Sequence, residues 1–236
     1  MTHLPSTPSP VFPSSAPPHR GVRFGAGLGA ALLALTLAGC GLRGSGDPRT
    51  ETREVDGFQA LALGGSFELV VHVDEDHDQR VVLSGDDNIV PKVVMAVEDG
   101  TLEVSLEAMM IRPSLPLKVE IWVPYLDALE ISGAADVDIE GLQGELFVLE
   151  VSGAAELRLS GAVERFEVEV SGASEIEARG LEAKAVELDL SGAGSAEVFA
   201  ADSLSVEVSG AGSVRYWGEP GEVDKEISGA GSVAPG

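Results

Sequence analysis

The stretch that decides the fold is Leu149-Glu150-Val151-Ser152-Gly153-Ala154-Ala155-Glu156-Leu157-Arg158-Leu159. Apolar residues alternate with polar ones on both sides of its Ser-Gly-Ala triplet, which is typical of β-strands that bury one face. Glycine inside the triplet permits a sharp corner or a close approach between backbones. The stretch therefore predicts two short strands that are joined by a tight corner.

The Ser-Gly-Ala triplet recurs along the second half of the chain. It begins at six positions, with spacings of 20, 19, 20, 18 and 19 residues: Ser132, Ser152, Ser171, Ser191, Ser209 and Ser228. A further short apolar stretch, such as Leu146-Phe147-Val148, completes each unit. A unit of about 19 residues with two or three short strands is typical of one turn of a β-solenoid. The sequence thus predicts an all-β protein, a single-stranded parallel β-helix whose turns stack on one another.

The rest of the chain differs from the repeat in composition, which predicts four segments. They are a disordered leader with a signal peptide at 1–40, a flexible tether at 41–52, an irregular β-rich part at 53–124, and the regular repeats with a C-terminal cap at 125–236.

Alternating strands within the irregular part suggest local pairing. The strands at 67–73 and 80–84 flank an acidic turn and predict a hairpin. The strands at 102–106 and 117–123 predict a second pair. This part would cap the solenoid or form its first irregular turns.

The first forty residues have the features of an export signal. The apolar run Gly25–Ala38 is too short to span a bilayer and has the length of a signal-peptide core. It ends in Leu37-Ala38-Gly39-Cys40, which resembles the lipobox of bacterial lipoproteins. The resemblance implies cleavage before Cys40 and attachment of lipid to its sulfur. Gly41 follows the cysteine in place of the aspartate of an inner-membrane retention signal, which favours the outer membrane.

Charge and cysteine content narrow the possible partners and cross-links. The formal net charge is −24, and all 39 acidic residues follow position 40. Such a surface repels phosphate backbones, so nucleic-acid binding is not expected. A single cysteine allows no intrachain disulfide.

Two groups of residues resemble chemical sites. A nucleophilic serine needs one base and one orienting group, whereas the triplet serines recur at regular spacing, so we interpret them as corners. The segment His72–Asp78 holds two histidines and four acids, which are enough ligands for a metal. Because His72 lies in a strand pattern and the acids resemble a solvated turn, we predict no metal site, no catalytic residue and no cofactor.

The repeat also aligns acidic residues. An acid lies two residues before each triplet serine, and stacking would place all six in one outward column: Glu130, Glu150, Glu169, Asp189, Glu207 and Glu226. A shorter column would contain Asp136, Glu156 and Glu175, followed by Ser195, Ser213 and Ser232. One hypothesis is that the strip gathers divalent cations such as Ca²⁺ between layers. The interpretation that we favour is a soluble face whose charges prevent edge-to-edge association.

Further motifs resemble one known family. They are Val55-Asp56-Gly57-Phe58, Leu83-Ser84-Gly85-Asp86-Asp87, Val97-Glu98-Asp99-Gly100-Thr101-Leu102, Ile121-Trp122-Val123-Pro124-Tyr125-Leu126 and the recurring Ser-Gly-Ala. Together they resemble the head GIN domain family of putative auto-transporter adhesins over residues 53–233. The resemblance implies a right-handed β-helical domain in the bacterial envelope, and it supplies no catalytic residues.

Three functions are compatible with this sequence. The leading one is a non-catalytic envelope module for adhesion or interaction, anchored to the membrane by lipid and facing a protein or glycan partner. The alternative is a polysaccharide-active β-helix enzyme, which would need a groove with paired acids and long loops, whereas the turns here are uniform. The third is a periplasm-facing scaffold or signalling protein.

Overall fold

The structure is a computed structural model that describes residues 41–107 and 110–236. The predicted signal peptide and the lipidation site at Cys40 lie outside these residues. Within the described part of the chain, no helix combines the length and the apolar character that a membrane crossing requires.

Short strands and one 3₁₀ turn precede the repeat. They are β1 (Leu42–Arg43), β2 (Pro48–Arg53), β3 (Ala60–Gly64), β4 (Ser66–Val73), β5 (Arg80–Asp86), the 3₁₀ turn Val90–Lys92, β6 (Val93–Glu98), β7 (Thr101–Leu106), β8 (Ile111–Arg112) and β9 (Lys118–Val123). The repeat itself contributes β10 (Ala128–Ile131), β11 (Ala134–Val151), β12 (Ala154–Val170), β13 (Ala173–Leu190), β14 (Ser195–Val208), β15 (Ser213–Trp217), β16 (Glu222–Ile227) and β17 (Ser232–Pro235).

The repeat forms a β-solenoid of about five turns at a spacing of about 20 residues, which confirms the predicted fold class. Long strands pair in parallel and bend where the register shifts, for example after Ile139 in β11. Gly141 and Gly161 at these bends have φ angles of 81° and 140°, which favour glycine. Each long strand therefore contributes to two faces of the solenoid.

We name these faces by their position relative to the Ser-Gly-Ala corners. The first face comprises the segments that precede the corners, at 128–131, 148–151, 167–170, 187–190, 205–208 and 222–227. The second face comprises the segments that follow them, at 134–139, 154–158, 173–178, 195–199, 213–217 and 232–235.

Inward side chains stack in columns along the solenoid axis. Leu149, Val168 and Leu188 pair in register on successive strands, and none is more than 4% exposed. The rings of Phe147 and Phe166 stack with centroids 5.9 Å apart. Because such columns bury apolar surface between layers, each turn depends on its neighbours for its core.

Two layers before the repeat are stacked out of chain order. Strand β3 pairs in parallel with both β10 and β7, and β4 pairs in parallel with both β11 and β9. The layer of β3 and β4 therefore lies between the layer of β7 and β9 and the first layer of the repeat. Beyond β7 and β9 this end finishes in antiparallel strands, β6 on one side and β5 with β2 on the other.

Both predicted pairings in this part are wrong. Strand β9 lies between β4 and β5, and β7 pairs with β3 and β6. Val71, Ile121 and Val81 lie in one row across β4, β9 and β5, and all three are fully buried. Alternation shows that each strand has a buried face, but it does not specify the partner strand.

The predicted flexible tether is also wrong, because residues 42–53 are bound to the body. Strand β1 pairs with β8, and β2 pairs with β5. The buried carboxylate of Asp86 accepts the backbone N–H groups of Gly46 at 2.7 Å, Ser114 at 2.9 Å and Leu115 at 3.1 Å. Burial alone would raise the pKa of Asp86, but these N–H groups outweigh it and lower the pKa.

The last layer of the repeat is exposed and carries a charged residue at an inward position. Every residue of β16 is exposed. Lys225 pairs with Val206 and so takes the place of an inward aliphatic residue. Its ammonium lies 4.7 Å from the centroid of the Tyr216 ring. A charged residue at this position resists the addition of a further strand at that edge.

Candidate functional site

The serines of the Ser-Gly-Ala corners bond neighbouring layers together. The backbone N–H of Ser152 donates to the carbonyl of Ile131 at 2.9 Å, and that of Ser191 donates to Val170 at 2.8 Å. The hydroxyls of these serines donate to the same carbonyls at 3.4 and 3.3 Å. These hydroxyls therefore reinforce the main-chain contact between neighbouring layers, which fits the interpretation of the triplets as corners.

The glycines of the corners stack on each other along the axis. A Cβ built on Gly172 would lie inside contact distance of the carbonyl oxygen of Gly153, and 2.9 Å from its carbonyl carbon. A Cβ built on Gly192 would meet the carbonyl oxygen of Gly172 in the same way. Glycine is therefore required here by close approach between layers, with no need for a positive φ.

The two histidines of the segment His72–Asp78 face different acids. His72 Nε2 lies 3.4 Å from Oε1 of Glu120, and His77 Nδ1 lies 2.9 Å from Oδ2 of Asp74. The N–H of Asp76, and then His77, lower the pKa of Asp74. Across residues 41–107 and 110–236, no three histidine, cysteine or carboxylate side chains converge as a metal site would require.

A row of side chains that was not predicted from the sequence crosses β4, β9 and β5. Trp122 stacks on His72 with centroids 5.2 Å apart, and the guanidinium of Arg80 lies 4.0 Å from the Trp122 ring centroid. A depression of about 500 Å³ lies beside the row and is lined by Thr52, Glu54, His77, Asp78, Gln79, Arg80 and Trp122. Period-two alternation would have placed Trp122 outward, but its neighbours depend on strand pairing that the sequence does not reveal.

The first face carries the predicted column of acids. Successive strands pair Glu130 with Glu150, Glu150 with Glu169, Glu169 with Asp189, Asp189 with Glu207, and Glu207 with Glu226. Partial burial, together with the charges of Glu130 and Glu169, raises the pKa of Glu150. Like charges at adjacent layers repel, so this column costs stability when it is ionised.

The second face carries the shorter acidic column, beside a line of mixed charges. Asp136, Glu156 and Glu175 pair in register. Arg158 lies in the neighbouring line, with Nη1 3.6 Å from Oδ1 of Asp136 and Nε 3.2 Å from Oε2 of Glu177. Arginine thus offsets part of the negative charge here.

A groove of about 650 Å³ runs beside the second column. Small residues such as Ala134, Ala154 and Ala173 line it, and Ser174 is buried next to it. The hydroxyl of Ser174 has no hydrogen-bond partner among the residues that the structure describes. The groove is shallow and open along its length, so it could contact an extended partner but does not enclose a substrate.

The chain is similar to a family of putative adhesins and to solved structures of putative adhesins. The family model described as "putative auto-transporter adhesin, head GIN domain" matches residues 57–220. A solved structure of a putative adhesin from Bacteroides fragilis is 26% identical, with a TM-score of 0.70, over 83% of this chain and 100% of that one. A putative adhesin from Parabacteroides distasonis is 18% identical, with a TM-score of 0.50, over 83% of this chain and 99% of that one, which shows the fold alone. No curated protein matches the chain.

Proposed function

Because this chain belongs to the head GIN domain family of putative auto-transporter adhesins, we propose that it is a non-catalytic lipoprotein of the cell envelope that acts in adhesion or interaction. One observation carries the proposal: the family match at 57–220 and the stack of solenoid layers from β3 to β15 cover the same residues. The family model and the Bacteroides fragilis structure are both described as putative adhesins, and neither description names an enzyme activity.

The faces of the solenoid suit a partner better than a small substrate. The carboxylates of the first face recur once in each layer and so spread along the axis. Catalytic pairs of acids would instead converge on one bond at a fixed separation. An extended face of this kind fits a protein or glycan partner that contacts several layers at once.

The proposed anchor is a lipid on the sulfur of Cys40. The motif Leu37-Ala38-Gly39-Cys40 supports it, and Gly41 favours the outer membrane over the inner one. More than one acyl chain would give stable attachment, because each buried methylene adds to membrane affinity.

An attachment assay with whole cells tests the proposal. A bacterial strain that expresses the full chain should bind surfaces coated with candidate partner proteins or glycans several-fold better than the same strain with an empty vector. A Cys40→Ala variant at equal expression should lose the gain, because it lacks the anchor.

Two results would count against the proposal. One is attachment that stays at the empty-vector level on every coating. The other is cleavage of an acidic or neutral polysaccharide by the purified protein, which would favour the alternative of a polysaccharide-active enzyme.

A further inference from the structure

The lipid anchor would leave almost no slack between the membrane and the solenoid. The N–H of Leu42 donates to the carbonyl of Met110 at 2.9 Å, and the N–H of Gly44 donates to Arg112 at 2.9 Å. Cys40 precedes Leu42 by two residues, so their Cα atoms are at most about 8 Å apart. A lipid on Cys40 would therefore hold the end of the solenoid that contains β1 and β8 close to the bilayer.

Apolar side chains are exposed at this same end. Met110 is 58% exposed, the highest value among the large hydrophobic residues that the structure describes. Val94 and Val97 are 41% and 38% exposed, and they belong to β6, the last strand of the sheet at this end. Methionine and valine at a lipid-anchored end can enter the interfacial region of a bilayer at little cost.

Two arginines lie on the short strands next to Met110, although the chain is strongly acidic. Arg43 and Arg112 are register partners on β1 and β8. Among the described residues, no carboxylate lies within 4 Å of the guanidinium groups of Arg43 or Arg112, so these groups can face anionic headgroups.

We propose that this end of the solenoid rests on the phospholipid bilayer, with Met110 in the interfacial region and Arg43 and Arg112 at the headgroups. The inference rests on the proposed function, because it requires the lipid at Cys40. The solenoid axis then points away from the membrane surface. The acidic column of the first face runs outward from the membrane, where anionic headgroups do not repel it.

Depth-dependent quenching tests this orientation with the full lipidated protein. The sulfur of a lipidated Cys40 is blocked, so an introduced cysteine can be labelled alone. A nitrobenzoxadiazole label on a Met110→Cys variant and one on a Ser232→Cys variant, in the exposed strand β17, report the two ends. The vesicles contain phosphatidylcholine and phosphatidylglycerol at about three to one, with nitroxide-labelled lipid and about one protein per vesicle.

The expected result is quenching at position 110 that is at least about threefold stronger than at position 232, with a blue-shifted emission. Reversing Arg43 and Arg112 to glutamate should weaken quenching at position 110. Reversing Arg158 and Arg215 on the second face makes the same change in charge and should not weaken it. Circular dichroism should show the same fold in all variants.

Three other outcomes separate the possible failures. If the mature protein carries a lipid by mass spectrometry and floats with vesicles, equal quenching at both positions overturns the inference and leaves the proposed function standing. If the label at position 110 is shielded from iodide but not quenched by nitroxide lipid, a second copy or another protein covers this end, and the inference is wrong. If the protein has no lipid and does not float, the anchor and the inference both fail.

Discussion

Replacing Gly172 with alanine tests the stacking of the corners directly. The added Cβ would press on the carbonyl oxygen of Gly153 and lie 2.9 and 3.1 Å from the carbonyl carbon and nitrogen of that residue. Carbon atoms in favourable contact are about 3.5–4.0 Å apart, so the two layers would have to separate locally. These atoms belong to the backbone, and no side-chain rotation can relieve the contact.

The cost follows from the contacts that would be disturbed. Ser171 donates to the carbonyl of Val151 at 2.8 Å, and Ala173 donates to the carbonyl of Gly153 at 3.0 Å, on either side of Gly172. Overpacking costs about 1–3 kcal/mol, and the two weakened hydrogen bonds add about 0.5–1.5 kcal/mol each. We expect Gly172→Ala to lower the free energy of unfolding by about 2–6 kcal/mol, a large fraction of a domain's stability.

Urea denaturation followed by far-UV circular dichroism measures this change, and the chain offers a matched control. A Cβ on Gly221 would meet only the carbonyl oxygen of Asp202, at an ordinary 3.8 Å. Gly221→Ala should therefore change stability by less than about 0.5 kcal/mol. If Gly172→Ala unfolds at the same urea concentration as Gly221→Ala and the unaltered protein, the layers do not approach as closely as described.

Three further variants test the core, the acidic column and the bound N-terminal segment, each by urea denaturation. Phe166→Ala should cost about 3–5 kcal/mol, because the ring is 1% exposed and stacked on its neighbour; a loss below about 1 kcal/mol would contradict that packing. Burial and neighbouring carboxylates raise the pKa of Glu150, so folding favours the protonated carboxyl. The stability that this protonation gives is present below about pH 4.5 and is lost as the pH rises. Glu150→Gln should thus stabilise the folded protein by about 0.5–1 kcal/mol at pH 7 but not at about pH 3. The control Glu164→Gln loses a 2.7 Å ion pair with Lys184 and should not stabilise the protein at either pH. The pKa of Asp86 is lowered, so Asp86→Asn should reduce the urea midpoint at neutral pH, by an amount that shrinks as the pH falls below about 4; a loss that is constant with pH would contradict the role of its charge.

The repeat was predictable from sequence because each strand pairs with the equivalent strand of the next unit. A nearly constant spacing of 18–20 residues fixes the register as soon as the fold class is known, which is why Glu150 and Glu169 were correctly assigned to one column. The alternation in Leu149-Glu150-Val151 likewise gave the buried side of each strand.

The layers before the repeat were not predictable in the same way. Strand β3 pairs with β7 and β10, which follow it by long and unequal stretches of chain, and no repeated spacing encodes those partners. The segment at 41–52 has the polar, glycine-containing composition of a linker, yet Asp86 binds it through backbone N–H groups that leave no sequence pattern. Trp122, His72 and Arg80 meet for the same reason, through non-local pairing of three strands.

Antibody labelling of intact cells that express the full chain tests most directly whether a lipid-anchored solenoid is displayed for adhesion. We predict labelling of intact cells by antibodies raised against the folded domain, and loss of that labelling with Cys40→Ala at equal expression. Labelling that appears only after the cells are lysed, with a periplasmic control behaving in the same way, would contradict the account and place the domain inside the envelope.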